Sequence, residues 1–241
     1  MHFDFDEVRS KVKTDIMEGD HMFKSMPHYM SVGESALKAI VASFLLANQK
    51  KSPETILDFA SGSGRVARWL CAAYPNAKVH ASDLRDDSLA FLSKTFGIET
   101  WPSSESIEDI VPPAQYDLIW CGSLLTHLSE AKTQDMLVAF HKWLKPGGIA
   151  VVTTHGKKVL DNIASGMRYM EPDQRLAFLS QAAYRGYGYV DYTGRTIGVS
   201  VNSLEWLCRE VQRLNARMIT ISDHAWDNHQ DVFAFQKTSP A

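Results

Sequence analysis

Ile56–Ala67 reads ILDFASGSGRVA. An apolar run around Asp58 leads into a loop of small residues, and a helix-like pattern follows. Gly62, Gly64 and Ala67 fit the G-x-G-x-x-G/A spacing of a nucleotide-binding strand–turn–helix. The small side chains of Ala60, Gly62 and Gly64 let a ligand approach the backbone closely. Asp58 is the unusual member, an acid inside the strand just ahead of the glycines. A lone glycine pattern is weak, so the flanking sequence has to decide what the loop holds.

Outward from this loop the chain alternates short apolar strands with helices. TILDFA is followed by the helix VARWLCAAY, KVHASD by RDDSLAFLSKTF, and IETW by a loop with two prolines. YDLIWCGS precedes the long helix SEAKTQDMLVAFHKWL, and IAVVTTH follows the turn KPGG. Such alternation implies βαβ crossovers and a parallel sheet, and strands buried on both faces explain runs such as IAVVTT. Ahead of the core, about Asp6–Met30 reads as short polar helices or a lid. An amphipathic helix then starts at Ser31, with Ser31 and Glu34 as its capping box. After His155 the pattern changes to a helix around Pro172–Tyr184, the glycine- and tyrosine-rich RGYGYVDYTGR, and a helix for which Asn202 and Glu205 fit a capping box. RMITISD and DVFAFQK, joined by HAWDNHQ, read as a closing hairpin. The expected architecture is α/β: a doubly wound seven-stranded sheet, mostly parallel with an antiparallel last strand, and helices on both faces. One domain spans 1–241: a lid over 1–30, a cofactor-binding core over 31–156, a substrate-side insertion over 157–200, and a C-terminal helix and hairpin over 201–241.

Bulk properties narrow the class. The 241 residues are 45% hydrophobic and 22% charged, with a net charge of −3. That balance carries no electrostatic footprint for nucleic acid or an anionic membrane. Cys71, Cys121 and Cys208 are widely separated, which argues against a disulfide framework and suits a reducing cytoplasm. No apolar run approaches the roughly 18 residues of a membrane span. The N-terminus, MHFDFDEVRSKVK, lacks a signal peptide's apolar region.

Three strand ends bear on the cofactor, because ligands of open α/β sheets lie beyond the strands' C-terminal ends. Asp83 ends the second strand about 20 residues past the loop, where a carboxylate accepts hydrogen bonds from ribose hydroxyls. It serves NAD and S-adenosylmethionine equally. Asp58 separates them: beside a pyrophosphate it would be repulsive, whereas an ammonium group favours it. D-x-[GA]-x-G-x-G at 58–64, Asp83, YDLIWCGSLLTHL and LKPGG together resemble a class I S-adenosylmethionine-dependent methyltransferase. The resemblance implies that Asp58, Ala60, Ser61 and Gly62 hold the methionine part and that Gly64 permits the turn. It also implies that Asp83 takes the ribose, that Leu84 and Arg85 border the adenine, and that Cys121, Gly122 and Ser123 line the methionine side. The family's usual acid after strand three is missing here, so the adenine amino group would need Ser103, Ser104 or a backbone carbonyl. Ala60 stands where glycine is commoner, which an ordinary backbone conformation tolerates.

Transfer to a hydroxyl requires removal of its proton, usually by His, Asp or Glu. His127 in SLLTHL, His155 at the end of strand five and His229 in HAWDNHQ are the catalytic candidates; each has a plainer reading as a packing or turn residue. Trp226 and Asp227 of the same loop, with Tyr189 and Tyr192, are candidates to wall the acceptor. Arg168, Arg175, Arg185 and Arg195 could meet an acceptor anion, though scattered surface arginines need no such role. No helical or finger spacing among the histidines and acids suggests a metal site. LIWCGSLLTHL with WDNHQDVFAFQK is also similar to bacterial methyltransferases associated with glycosyltransferases of surface-polysaccharide synthesis. The expected partner is therefore a small-molecule or saccharide acceptor, in association with glycan-synthesis enzymes. The rival readings are an NAD-dependent oxidoreductase and a non-catalytic cofactor-binding scaffold.

Overall fold

A computed structural model describes residues 3–166, 170–192 and 197–238. Its main sheet has seven strands: β1 (Thr55–Phe59), β2 (Lys78–Asp83), β3 (Glu99–Pro102), β4 (Tyr116–Cys121), β5 (Leu144–Thr154), β8 (Ala216–Trp226) and β9 (Gln230–Lys237). Their spatial order is β3-β2-β1-β4-β5-β9-β8. The pairs from β3 through β5 are parallel, and β9 runs antiparallel to both its neighbours. The chain order reverses direction across β1 and β4, so the crevice for a ligand lies over those two strand ends.

Helices cover both faces. Strand alternation sends Ile56, Leu118 and Trp120 to one core, with α2 (Met26–Leu46) and α3 (Ala67–Ala73). Leu57, Phe59, Ile119 and Phe233 face the other, under α5 (Glu130–Trp143) and α8 (Leu204–Arg213). α4 (Asp86–Phe96) lies between β2 and β3. The segment after β5 builds its own small unit from α6 (Lys157–Ala164), α7 (Pro172–Arg185) and a two-stranded antiparallel sheet of β6 (Tyr187–Asp191) and β7 (Gly198–Asn202). Val159, Ile163, Phe178, Val199 and Val201 form its separate core.

Four local expectations need correction. α2 starts at Met26, not Ser31, because Ser25 accepts from the His28 amide and Pro27 suits the first turn. Ser31 instead donates to the His28 carbonyl, and Glu34 pairs with Arg9 of α1 (Phe5–Lys11) and with Lys38. Ser203, not Asn202, caps α8, by accepting from the Trp206 amide, while Asn202 ends β7. Lys145–Gly148 is drawn into the start of β5, with an irregular register against β4. HAWDNHQ contributes strand up to Trp226 and turns tightly, the His229 amide bonding the Trp226 carbonyl. Asp227 and Asn228 both have positive φ there (53° and 49°), the pattern of a primed hairpin turn.

By length and composition α2, with 21 residues, is one helix that could cross a membrane. Here it is a core helix: Tyr29, Val32, Ala36, Leu37 and Ile40 are buried.

Candidate active site

The loop after β1 is held from below and from the side. The Gly62 amide donates to Asp83 Oδ2 (2.8 Å), and the Arg85 amide donates to Asp83 Oδ1 (3.0 Å). Asp83 therefore fastens the glycine loop to the end of β2 before any ligand arrives. Gly64 has φ +81°, and a Cβ there would lie 2.4 Å from Leu92 Cδ2, so only glycine fits. A Cβ on Gly62 (φ +52°) would meet nothing, which leaves the space above that backbone open.

Ala60 departs from the expectation of an ordinary backbone: its φ is +57°, in the left-handed region. An L-residue costs roughly 1–2 kcal/mol there. Ala60→Gly is therefore expected to stabilise the fold by about 1 kcal/mol, read as a higher thermal midpoint. A lower midpoint would show that the alanine methyl contributes packing worth more than the strain.

A cavity of about 480 Å³ opens beside this loop. Of the residues expected to hold a cofactor, Ala60, Asp83, Leu84, Ser103 and Ser104 line it. Phe59, Ile107, Leu124, Lys132, Met136 and Ile197 also line it. Sequence reasoning missed these because, Lys132 apart, they are ordinary apolar positions of β1, α5 and three connecting segments. The Ser103 amide donates to the Asp83 carbonyl (2.9 Å), bringing β3's end beside Asp83. Arg85 lies away from the cavity lining, paired with Asp87.

Asp58 stands beneath the loop, 2% exposed, and its Oδ2 has no hydrogen-bond partner among the described residues. Burial, with Asp83 adding repulsion, pushes its carboxyl up to about 8; the Ala67 amide and Arg65 work in the opposite direction. Arg65, which the sequence did not single out, makes no hydrogen bond among the described residues. Its guanidinium stacks on Trp226 at 5.0 Å, and burial pulls its pKa down. Cys121 is wholly buried, and burial pushes its thiol up, so it is an unreactive wall. Gly122 packs against Trp226, which would be 2.8 Å from a Cβ there. Ser123 is fixed by Thr153 and Gln230.

The N-terminal segment lies over the loop. Ser63 Oγ contacts Met17 Sδ at 3.6 Å, and Arg68 Nη1 donates to the Lys13 carbonyl.

The three candidate histidines are brought together. His155 and His229 have ring centroids 5.3 Å apart, and His127 is near enough to His155 to disfavour its charge. Burial, above all, pushes His155 down to about 3, so its imidazole is neutral while its ring bonds the Ser200 carbonyl (3.0 Å). His127 sits in a 3₁₀ turn (Leu125–His127) and its Nδ1 bonds the Gly198 carbonyl at 2.9 Å. Tyr192 lies beside it, ring centroids 6.0 Å apart. Asp227 pairs with His28 Nε2 (3.2 Å). Two expected acceptor walls are placed elsewhere. Trp226 is 3% exposed and packs edge-on to Trp120, its indole N–H bonding the Val32 carbonyl; its size suits it to the core. Tyr189 lies in a different groove with Glu130 and Arg185, its hydroxyl on Asp191. Arg168 and Arg195 lie outside the described residues. Among the described residues, no group of three His, Cys, Asp or Glu side chains is arranged to hold a metal ion.

Residues 56–148 match the model of a methyltransferase domain family. Among curated relatives, alpha N-terminal protein methyltransferase 1 of Caenorhabditis elegans is 27% identical over 146 residues, 54% of this chain and 62% of that protein. Malonyl-[acyl-carrier protein] O-methyltransferase of Methylococcus capsulatus is 25% identical, over 78% of this chain and 72% of its own. The chain spans about half the length of the first curated relatives it matches. A solved S-adenosylmethionine-dependent methyltransferase from Clostridium acetobutylicum superposes with TM-score 0.60 at 13% identity, covering 86% of this chain and 92% of that one. Residues 56–148 therefore carry a methyltransferase domain, the chain has the fold of the S-adenosylmethionine-dependent methyltransferases, and S-adenosylmethionine is the cofactor its loop suits. The residues fit that group: the orphaned Asp58 Oδ2 beneath the loop, the open space over Gly62 and the carboxylate of Asp83 form the expected cradle. The oxidoreductase alternative is thereby set aside.

Proposed function

We propose that this chain transfers the methyl group of S-adenosylmethionine to a hydroxyl oxygen of a small-molecule or saccharide acceptor. The observation that carries the hydroxyl assignment is His127. Leu124, Leu128 and Ile197, which surround it in sequence and through the Gly198 contact, all line the cofactor cavity. With Nδ1–H donating to the Gly198 carbonyl, Nε2 carries the lone pair and acts as general base. S-adenosylmethionine supplies a methyl group on a sulfonium, an activated leaving group, so positioning accounts for much of the remaining barrier.

Asp83 holds the ribose while it keeps the loop closed on Gly62. Leu84, Ser103 and Ser104 border the base. Ser61 and Gly62 bind the methionine part through the backbone, and Asp58 provides the negative charge beneath its ammonium. Arg65 balances that arrangement with a cation suited to the carboxylate.

The Asp58 assignment predicts proton release. Its folded-state pKa of about 8 exceeds the 3.8 of the free side chain. The stability this group contributes is thus full below 3.8 and is lost as pH rises through 8. An ammonium beside it favours the carboxylate, so cofactor binding expels the proton near neutral pH. Calorimetry of S-adenosylhomocysteine binding in buffers of different ionisation enthalpy is expected to show net proton release that Asp58→Asn abolishes. Equal enthalpies in all buffers would remove Asp58 from this role.

The saccharide choice, and an association with glycan-synthesis enzymes, rest on the similarity of LIWCGSLLTHL and WDNHQDVFAFQK to methyltransferases of that setting. Cytoplasmic residence is proposed on the scattered, unpaired cysteines and the modest net charge. A methyl-transfer assay over glycans, phenols and amines, read by product mass spectrometry, tests the reading. Methylation of amines alone would overturn the hydroxyl assignment. Cofactor binding with no product across the panel would favour a non-catalytic scaffold.

A further inference from the structure

A second cavity, of about 300 Å³, lies between the insertion and the β8–β9 edge and shares no lining residue with the cofactor cavity. Its volume is at the lower end of small-molecule sites, which run roughly 300–1,000 Å³. Asn202 lines it, 5% exposed, and neither Oδ1 nor Nδ2 of its amide has a hydrogen-bond partner among the described residues. Leaving both ends of a buried amide unpaired is costly, and such a group calls for a bound partner or a functional reason. Its backbone is fixed independently, the amide donating to the His155 carbonyl (3.0 Å), so the side chain is held without a partner of its own.

Asp231 joins it on the same cavity. It is 8% exposed, with Oδ1 accepting from the His224 amide (2.8 Å). Its Oδ2 sits where a Cβ on Gly156 would be, 1.7 Å away, so glycine at 156 is what gives that oxygen its place. Burial, reinforced by Asp223, raises the Asp231 carboxyl. The opposite wall is aliphatic: Leu160, Leu207 and Ile221.

We infer that this cavity binds an uncharged ligand bearing vicinal hydroxyls. An amide with a donor nitrogen and an acceptor oxygen, next to a carboxyl oxygen, pairs with two adjacent hydroxyls, each of which donates and accepts. The aliphatic wall suits the C–H face of a ring carrying them. A carboxylate or phosphate ligand is disfavoured by Asp231 and Asp223, since the lining cation Lys157 is already paired with Asp161, and a purely apolar ligand would leave the amide unpaired. The site stands whether or not the chain transfers a methyl group, since no cofactor residue takes part.

The test is binding without cofactor. Methyl α-D-glucopyranoside, methyl α-D-mannopyranoside and myo-inositol are titrated at millimolar concentration, with cyclohexanol as the ring lacking vicinal hydroxyls. Saturable shifts of the Asn202 side-chain amide and the Gly156 backbone amide in NMR spectra are expected with at least one polyol and not with cyclohexanol. Asn202→Leu, which removes the orphaned atoms at similar volume, is expected to abolish those shifts while holding or raising the thermal midpoint. Should it fail to fold, Asn202→Asp, which removes the donor and adds charge beside Asp231, is expected to abolish the shifts as well. No saturable shift with any polyol would mean the cavity holds ordered water only. Equal response to cyclohexanol would mean an apolar pocket. Retained polyol binding in a folded Asn202 variant would place the ligand elsewhere. Each of the three overturns the inference.

Discussion

His127→Gln is expected to lower kcat for a hydroxyl acceptor by about 10²–10⁴-fold, the contribution typical of a positioned general base. S-adenosylhomocysteine affinity should stay unchanged, because His127 does not line the cofactor cavity although its neighbours do. Glutamine keeps a donor for the Gly198 carbonyl, so the 3₁₀ turn and β7 remain in place. What it lacks is a basic nitrogen. The readout is therefore a fall in kcat with KM for the cofactor preserved. An unchanged kcat would show that the acceptor is deprotonated before it binds or needs no base. In that case neither His155 nor His229 is a straightforward substitute. His155 is held neutral at a pKa of about 3, and burial also lowers His229, so both are weak bases near neutral pH.

Asp83→Ala is expected to weaken S-adenosylhomocysteine binding by roughly a hundredfold or more. Charge-assisted hydrogen bonds contribute about 1.5–3 kcal/mol each, and two ribose hydroxyls are involved. The structure adds a second route for the loss. Asp83 Oδ2 also anchors the Gly62 amide and Oδ1 the Arg85 amide, so alanine frees the glycine loop as well as removing the ribose acceptor. Asp83→Asn helps separate the two. It retains shape and one acceptor oxygen but lacks the charge, so it should bind more tightly than alanine and more weakly than wild type. Calorimetric titration reads both variants, and circular dichroism confirms the fold. Unchanged affinity in Asp83→Ala would remove Asp83 from the ribose site.

Much of this was legible in residues 55–155, where sequence pattern and structure share one cause. A parallel strand buried on both faces must be apolar, a ligand loop must be small, and a βαβ crossover must return on the same side. The alternation of parallel strands and helices, the glycine loop and Asp83 follow from those local constraints. Helix starts were less legible where two caps compete: Ser25 and Ser31 are both capable, and Pro27 decides between them.

By itself, then, the sequence determined the fold class, the cofactor loop and the acid at the end of β2, because each is a short-range pattern. Only tertiary structure decided the rest. It put Trp226 in the core, set the guanidinium of Arg65 on that ring, and buried Asp58 beneath the loop, which raises its carboxyl. It gathered His127, His155 and His229 from three distant segments, and among the described residues it left the Asn202 amide without a partner beside a cavity. These are matters of burial and of contacts between residues far apart in the chain. Local pattern carries no record of them, since the same side chain is a base, a core residue or a ligand group according to what the fold packs around it.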